Sequence, residues 1–186
     1  MRDTVDTGVA SLKILEKFHE LGYVHGDIKP DNLILPENSS NVSKVHLIDF
    51  GQCRKYRDSG GKHLPNKLSQ LYHNPWFASH NECLGSSISR RDDVISLIYT
   101  LIHGRDHFGS LLSKANNDQA IYLFKLTASA KQVCEGNRTQ FLAPIMEEAM
   151  SYRYEQKPNY DKLKFLLKKV LIEHYIKPSP NFVFDD

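Results

Sequence analysis

Residues 23–35 read Y-V-H-G-D-I-K-P-D-N-L-I-L, and this stretch decides the fold. An aspartate (Asp27), a lysine two residues on (Lys29) and an asparagine five residues on (Asn32) stand in a polar loop between two short apolar runs. That spacing suits phosphoryl transfer: a carboxylate holds the accepting hydroxyl, a cation neutralises the moving group, and an amide oxygen holds a metal ion. Working outward, residues 45–51 read V-H-L-I-D-F-G and add a second carboxylate, Asp49, at a strand end. The turn formers between Pro36 and Asn41 predict a small hairpin of 33–35 with 45–48 that draws Asn32 and Asp49 toward a common metal. A lone H-G-D turn is weak evidence, because an aspartate there more often caps a turn. The joint pattern carries the argument.

On either side of this hairpin the chain reads as helix. Val5, Val9, Leu12, Leu15 and Phe18 recur at three- and four-residue steps and predict a helix over 4–21, capped by Asp3 or Thr4 and ended by Gly22. Residues 52–85 are irregular, with Gly60, Gly61, Pro65 and Pro75, and read as a functional or mobile loop. Ser89-Arg90-Arg91-Asp92-Asp93 then opens a helix with acidic residues in its first turn, where the dipole favours them. Apolar residues between Val94 and Ile102 cover nearly its whole circumference, so helix 92–104 is expected to be buried on all sides at the centre of the fold. Further helices are expected over 116–127, 138–151 and 160–174. Pro178 and Pro180 stop the last, and Phe182-Val183-Phe184 is expected to fold back on the core.

A chain of 186 residues can bury one sizeable core, so one domain over 1–186 is expected, mainly α (α+β) with the small hairpin. A formal charge of +2 with scattered basic residues argues against a nucleic-acid partner. Cys53, Cys83 and Cys134 form no C-x-x-C pair, which fits a reducing compartment and argues against cysteine-bound metal. No apolar run approaches the roughly 20 residues of a membrane span, and the N-terminus is too polar for a signal peptide, so no membrane partner is expected. An intracellular location, cytoplasmic or nuclear, follows. The sequons at Asn38, Asn41 and Asn137 then read as polar surface turns.

Residues 23–35 and 45–51 resemble the catalytic loop and the Asp-Phe-Gly of eukaryotic protein kinases. Small-molecule phosphotransferases of the aminoglycoside and choline kinase type also use His-Gly-Asp, but they usually carry histidine where this chain has Lys29. K-Y-R-D (55–58), F-A-S-H-N (77–81), S-R-R-D-D (89–93) and C-E-G-N-R-T-Q-F (134–141) are similar to the casein kinase I family, with its tau-tubulin and vaccinia-related relatives. The resemblance implies a serine/threonine kinase using ATP and Mg2+, with Asp27 as base, Lys29 on the phosphate, and Asn32 and Asp49 as metal ligands. It places Ile34 under the adenine, His25 and Phe50 in an internal hydrophobic column, Gly51 as the glycine of Asp-Phe-Gly, and Asp93 behind the backbone of the catalytic loop.

The chain also departs from the family. Met1 is followed almost at once by the helix that precedes the catalytic loop, and there is no G-x-G-x-x-G or V-A-I-K, so the expectation is a partial domain: the C-terminal lobe, with the N-terminal lobe absent. Such a chain is expected to be inactive alone. Asn74 stands where such kinases place a threonine that bonds the catalytic aspartate and lysine, and His73 replaces its glycine. Trp76 stands in place of an arginine that binds primed substrate, and Gly26 in place of an arginine that pairs with an activation-loop phosphate. Asn74, Trp76, Arg90 and Arg91 are the substrate-side candidates; with Arg54, Lys55, Arg57 and Lys62, the two arginines suit an acidic protein substrate or, equally, a solvated surface. The alternative reading is a non-catalytic, kinase-derived binding module. A small-molecule kinase ranks below both, and the oligomeric state is open.

Overall fold

The computed structural model describes residues 1–35, 45–68, 74–108, 117–136 and 138–174. The loop read at Pro36–Asn41, His73, the sequons at Asn38, Asn41 and Asn137, the stop at Pro178 and Pro180 and the segment Phe182–Phe184 lie outside them. The described chain is mainly helical, with two small antiparallel sheets.

Helix α1 (Arg2–Glu20) buries Val5, Val9, Leu12 and Leu15, the stripe that its periodicity predicts. It begins two residues earlier than read from spacing. Met1 occupies the N-cap position without a side-chain bond, and Asp3 lies in the first turn instead of capping it. Strand β1 (Tyr23–Val24) follows, then a 3-10 turn (Pro30–Asn32) and β2 (Leu33–Ile34). Strand β3 (His46–Leu47) pairs antiparallel with β2, Leu33 opposite Leu47 and Ile34 opposite His46. The hairpin is shorter than expected: Leu35, Val45 and Ile48 lie just outside its ladder.

Part of the stretch read as irregular has regular structure. Strand β4 (Arg54–Lys55) pairs antiparallel with β1, and bridges join Arg57 to His63 and Leu68 to Ser86. A short helix α2 (His80–Cys83) starts at a capping box in which Ser79 Oγ accepts from Glu82 N (3.1 Å) and Glu82 Oε1 from Ser79 N (2.9 Å). Strand β4 gets its conformation from β1, about thirty residues earlier, so local pattern does not reveal it.

Helix α3 (Arg90–Asp106) is the centre of the molecule: Val94, Ile95, Leu97, Ile98, Tyr99, Leu101 and Ile102 are all buried. Asp92 caps it by accepting from Ser89 N (2.8 Å) and Ser89 Oγ (3.0 Å). Around it stand α4 (Asp118–Thr127), α5 (Ala130–Val133), α6 (Ala143–Ser151) and α7 (Tyr160–Glu173). Helix α6 starts later than periodicity suggests because a 3-10 turn (Gln140–Leu142) precedes it and Pro144 favours the first helical turn. Three helices meet at Gly8 of α1. A Cβ there would lie 2.9 Å from Leu101 Cδ1 of α3 and 2.8 Å from Leu167 Cδ1 of α7, so the close packing needs a residue without one. Among the described residues no helix is long and apolar enough to cross a membrane, and Cys53, Cys83 and Cys134 are free thiols.

Candidate active site

The loop between β1 and β2 is held from below by one carboxylate. Asp93, on the first turn of α3, accepts from His25 N (2.7 Å), Gly26 N (2.9 Å) and His19 Nε2 (2.8 Å). Burial alone would raise its pKa, but the His19 hydrogen bond and charge and the two backbone donors bring it below the ordinary aspartate value. His19 Nδ1 meets the Tyr160 hydroxyl, so helix α7 is tied through two buried side chains to the loop backbone.

His25 is fully buried and joins the two halves of the motif. Its Nδ1 accepts from Asp27 N (3.3 Å) and its Nε2 donates to Ile48 O (3.1 Å); these partners define the tautomer. Its ring stands edge-on to Phe50 at 5.4 Å, and Phe18 packs against both, at 6.2 and 5.5 Å. Ile48 directly precedes Asp49, so His25 connects the candidate base segment to the candidate metal segment.

Asp27, Lys29 and Asn32 form one constellation. Lys29 Nζ donates to Asp27 Oδ2 (2.7 Å), and Asn32 Nδ2 donates to the same Oδ2 (3.1 Å) and to Asp27 O (2.8 Å). The hydrogen bond to Asp27, reinforced by the charges of Asp27, Asp31 and Asp49, raises the pKa of Lys29 and keeps it an ammonium. Two bonds through Nδ2 define the Asn32 amide and direct Oδ1 away from Asp27 as an acceptor. Ile48 N donates to Asn32 O (3.0 Å), which places Asp49 beside Asn32. Asp49 has φ of 60°, uncommon for a residue with a Cβ, and its Oδ1 accepts from Gly51 N (3.1 Å).

Among the described residues no cluster of three His, Cys, Asp or Glu side chains could hold a metal. One carboxylate and one amide oxygen fit Mg2+ instead, because that ion keeps waters and substrate phosphates as its other ligands. Apolar side chains close in sequence to the pair are exposed: Ile34 is 48% exposed and Phe50 51%, and Ile48 is exposed as well.

The substrate-side candidates have other partners. Asn74 Oδ1 accepts from Trp76 N (3.2 Å) and makes no hydrogen bond to Asp27 or Lys29. The Trp76 ring stacks on Phe108 at 5.7 Å. Arg90 donates to Glu155 O (2.7 Å) and lies over the Tyr56 ring at 4.4 Å, while Arg91 donates to Tyr152 O (3.2 Å) and approaches Asp92 (3.6 Å). Both arginines therefore tie α3 to residues 152–155.

Sequence pattern did not single out His19, Glu82, Asp92 as a bridge, Lys125 or Tyr160. Asp92 Oδ1 accepts from Ser79 Oγ (2.6 Å) and Asn81 Nδ2 (3.1 Å), anchoring the segment that carries Asn74 and Trp76. A capping signal at Ser79 and Glu82, three residues apart, was available in the sequence; for the others no local signal exists. In comparison with known families, the family model described as protein kinase domain matches residues 5–173.

Proposed function

The chain belongs to the protein kinase domain family, and from that premise we propose that it is a serine/threonine kinase of casein kinase I-like type, with Asp27 as base and Lys29 on the transferred phosphoryl group. Membership in the family implies Mg-ATP as phosphate donor and a protein as acceptor. The observation that carries the reading is the constellation at Asp27: one oxygen is held by Lys29 and Asn32, while the other is left for an incoming hydroxyl. Asn32 Oδ1 and Asp49 hold the Mg2+, Ile34 supports the adenine, and the protein works inside the cell, in cytoplasm or nucleus, on a substrate for which the basic residues 54–62 favour acidic character. We expect the 186-residue chain by itself to transfer phosphate poorly, since no glycine-rich loop stands among these residues to close over the nucleotide.

One observation favours a second reading. The exposed apolar side chains of Ile34, Ile48 and Phe50, close in sequence to Asn32 and Asp49, suit a protein contact, as expected of a kinase-derived binding module. Translating the genomic DNA upstream of the Met1 codon separates the two. An in-frame glycine-rich loop with its strand lysine supports the kinase; a proven start site at Met1 supports the module. At the bench, Asp27→Ala abolishes the function of a kinase and leaves that of a binding module intact.

A further inference from the structure

Lys125 is the only buried lysine among the described residues, with 1% of its surface exposed. Its Nζ donates to the carbonyls of Trp76 (2.8 Å) and Ala78 (2.7 Å) and sits 3.7 Å from the centre of the Tyr99 ring. Burial is the main cause that lowers its pKa to about 7, against the opposing charges of Cys83 and Glu82. An amine in such a place is costly, and a methionine of similar length would fill the space with less desolvation. What the amine adds is direction. It supplies N–H donors to two carbonyls two residues apart in a segment without a helix or strand of its own to satisfy them.

That segment is the one bearing the substrate-side candidates. Asn74 closes its turn, accepting from Ala78 N at its carbonyl (3.2 Å) and from Trp76 N at Oδ1 (3.2 Å). Ser79 ties its far end to Asp92 at 2.6 Å, on the same helical turn as Asp93, which holds the catalytic loop. Without Lys125 the carbonyls of Trp76 and Ala78 would lose these donors, and the middle would be held by the Asn74 turn and by the packing of Trp76 and Phe77 on Phe108 and of Phe77 on His103.

We propose that Lys125 is a positioning residue, whose ammonium or amine fixes the backbone of residues 76–78 and thereby the substrate-side wall relative to the catalytic loop. It touches no reacting atom. The proposal rests on the kinase reading only in taking 74–79 as that wall.

Trp76 is the only tryptophan in the chain, so its fluorescence reports on the wall directly. In the 186-residue protein, Lys125→Met is expected to raise acrylamide quenching of Trp76 about twofold and to speed amide exchange in residues 75–79 about tenfold, with residues 24–33 exchanging as before. Lys125→Gln, which keeps amide donors on a shorter side chain, is expected to restore part of the protection. Unchanged quenching and exchange in Lys125→Met overturns the proposal. A uniform rise along the whole chain does so too, as does failure of both variants to fold, because each makes Lys125 a general core residue. Neither readout involves phosphate transfer. The kinase reading stands on Asp27-dependent transfer from Mg-ATP, so either can fail alone.

Discussion

Asp92 and Asp93 are consecutive on the first turn of α3, yet their carboxylates serve different walls of the site. Asp93 accepts from the backbone of His25 and Gly26, while Asp92 accepts from Ser79 and Asn81. Successive side chains on a helix point about 100° apart, so two adjacent acids can reach two loops that have no sequence proximity. Helix α3, the most extensively buried helix among the described residues, is thus the common reference for the loop that carries Asp27 and for residues 79–81.

This arrangement makes the two acids separable by experiment. Asp93→Ala leaves two buried backbone donors and His19 without their acceptor, a loss on the order of 3–5 kcal/mol. Its amide exchange should rise first at residues 25–27. Asp92→Ala should instead expose residues 79–81 and fray the start of α3. Site-resolved hydrogen exchange decides, and identical patterns for the two variants would refute the division of labour.

The backbone at Gly26 disfavours arginine, or any residue with a Cβ, at that position. Its φ is +78°, and an added Cβ would meet Gln52 O at 3.0 Å and Ile88 Cδ1 at 3.4 Å. Both the left-handed backbone and the crowding oppose a side chain, at a cost of roughly 1–2 kcal/mol or more. Gly26→Arg should lower the urea midpoint, with Gly26→Ala showing much of the same loss. A Gly26→Arg protein as stable as the parent would show that the loop backbone can rearrange.

Legibility followed the range of the forces involved. Helix α3 could be read because its apolar circumference is a local property, and the 33–34 and 46–47 pairing because two apolar runs flank turn formers. Strand β4 could not, since R-K has no strand signature and owes its conformation to Tyr23 and Val24. Lys125 was equally hidden. A lysine on a helix normally reaches water, and this one is buried with its Nζ donating hydrogen bonds to carbonyls 47 and 49 residues earlier. His19 belongs to the same class: no local pattern marks it, and its partners lie 74 and 141 residues later. Arg90 and Arg91, whose charge suits an acidic substrate or a solvated surface, also make internal contacts, to Glu155 O and Tyr152 O, that charge patterning does not reveal.

Glu82 gives the fold a pH dependence of known sign. Burial, with the nearby charge of Asp92 adding to it, raises its pKa from 4.5 to about 8. Between these values the folded chain retains a proton that the unfolded chain has released, so stability is highest below the lower value and falls as pH rises through the window. Glu82→Gln keeps an oxygen for Ser79 N and removes the titration. The urea midpoint of the parent should therefore fall between pH 5 and pH 8 relative to that of Glu82→Gln. Lys125, lowered from 10.5 to about 7, acts in the opposite sense above neutrality, because there the unfolded chain holds the extra proton. Parallel midpoints for parent and variant across the lower window would contradict a buried, proton-retaining Glu82.

Asp27 tests chemistry with little effect on stability. Its pair with Lys29 lies near the surface, with side chains 17% and 25% exposed, so Asp27→Ala should cost only about 1 kcal/mol and leave the fold intact. Phosphoryl transfer depends on positioning and on charge stabilisation by groups on both sides of the nucleotide. In the proposed reading Asp27, Lys29, Asn32 and Asp49 supply one side of this arrangement, and no glycine-rich loop stands among the 186 residues, so the isolated chain incubated with Mg-ATP and casein should yield no more phosphoserine or phosphothreonine than its Asp27→Ala variant. Appreciable Asp27-dependent phosphorylation by the isolated chain would overturn that expectation and show that these residues position the nucleotide without further closure. Phosphate appearing on tyrosine instead would overturn the serine/threonine assignment while leaving the role of Asp27 in place.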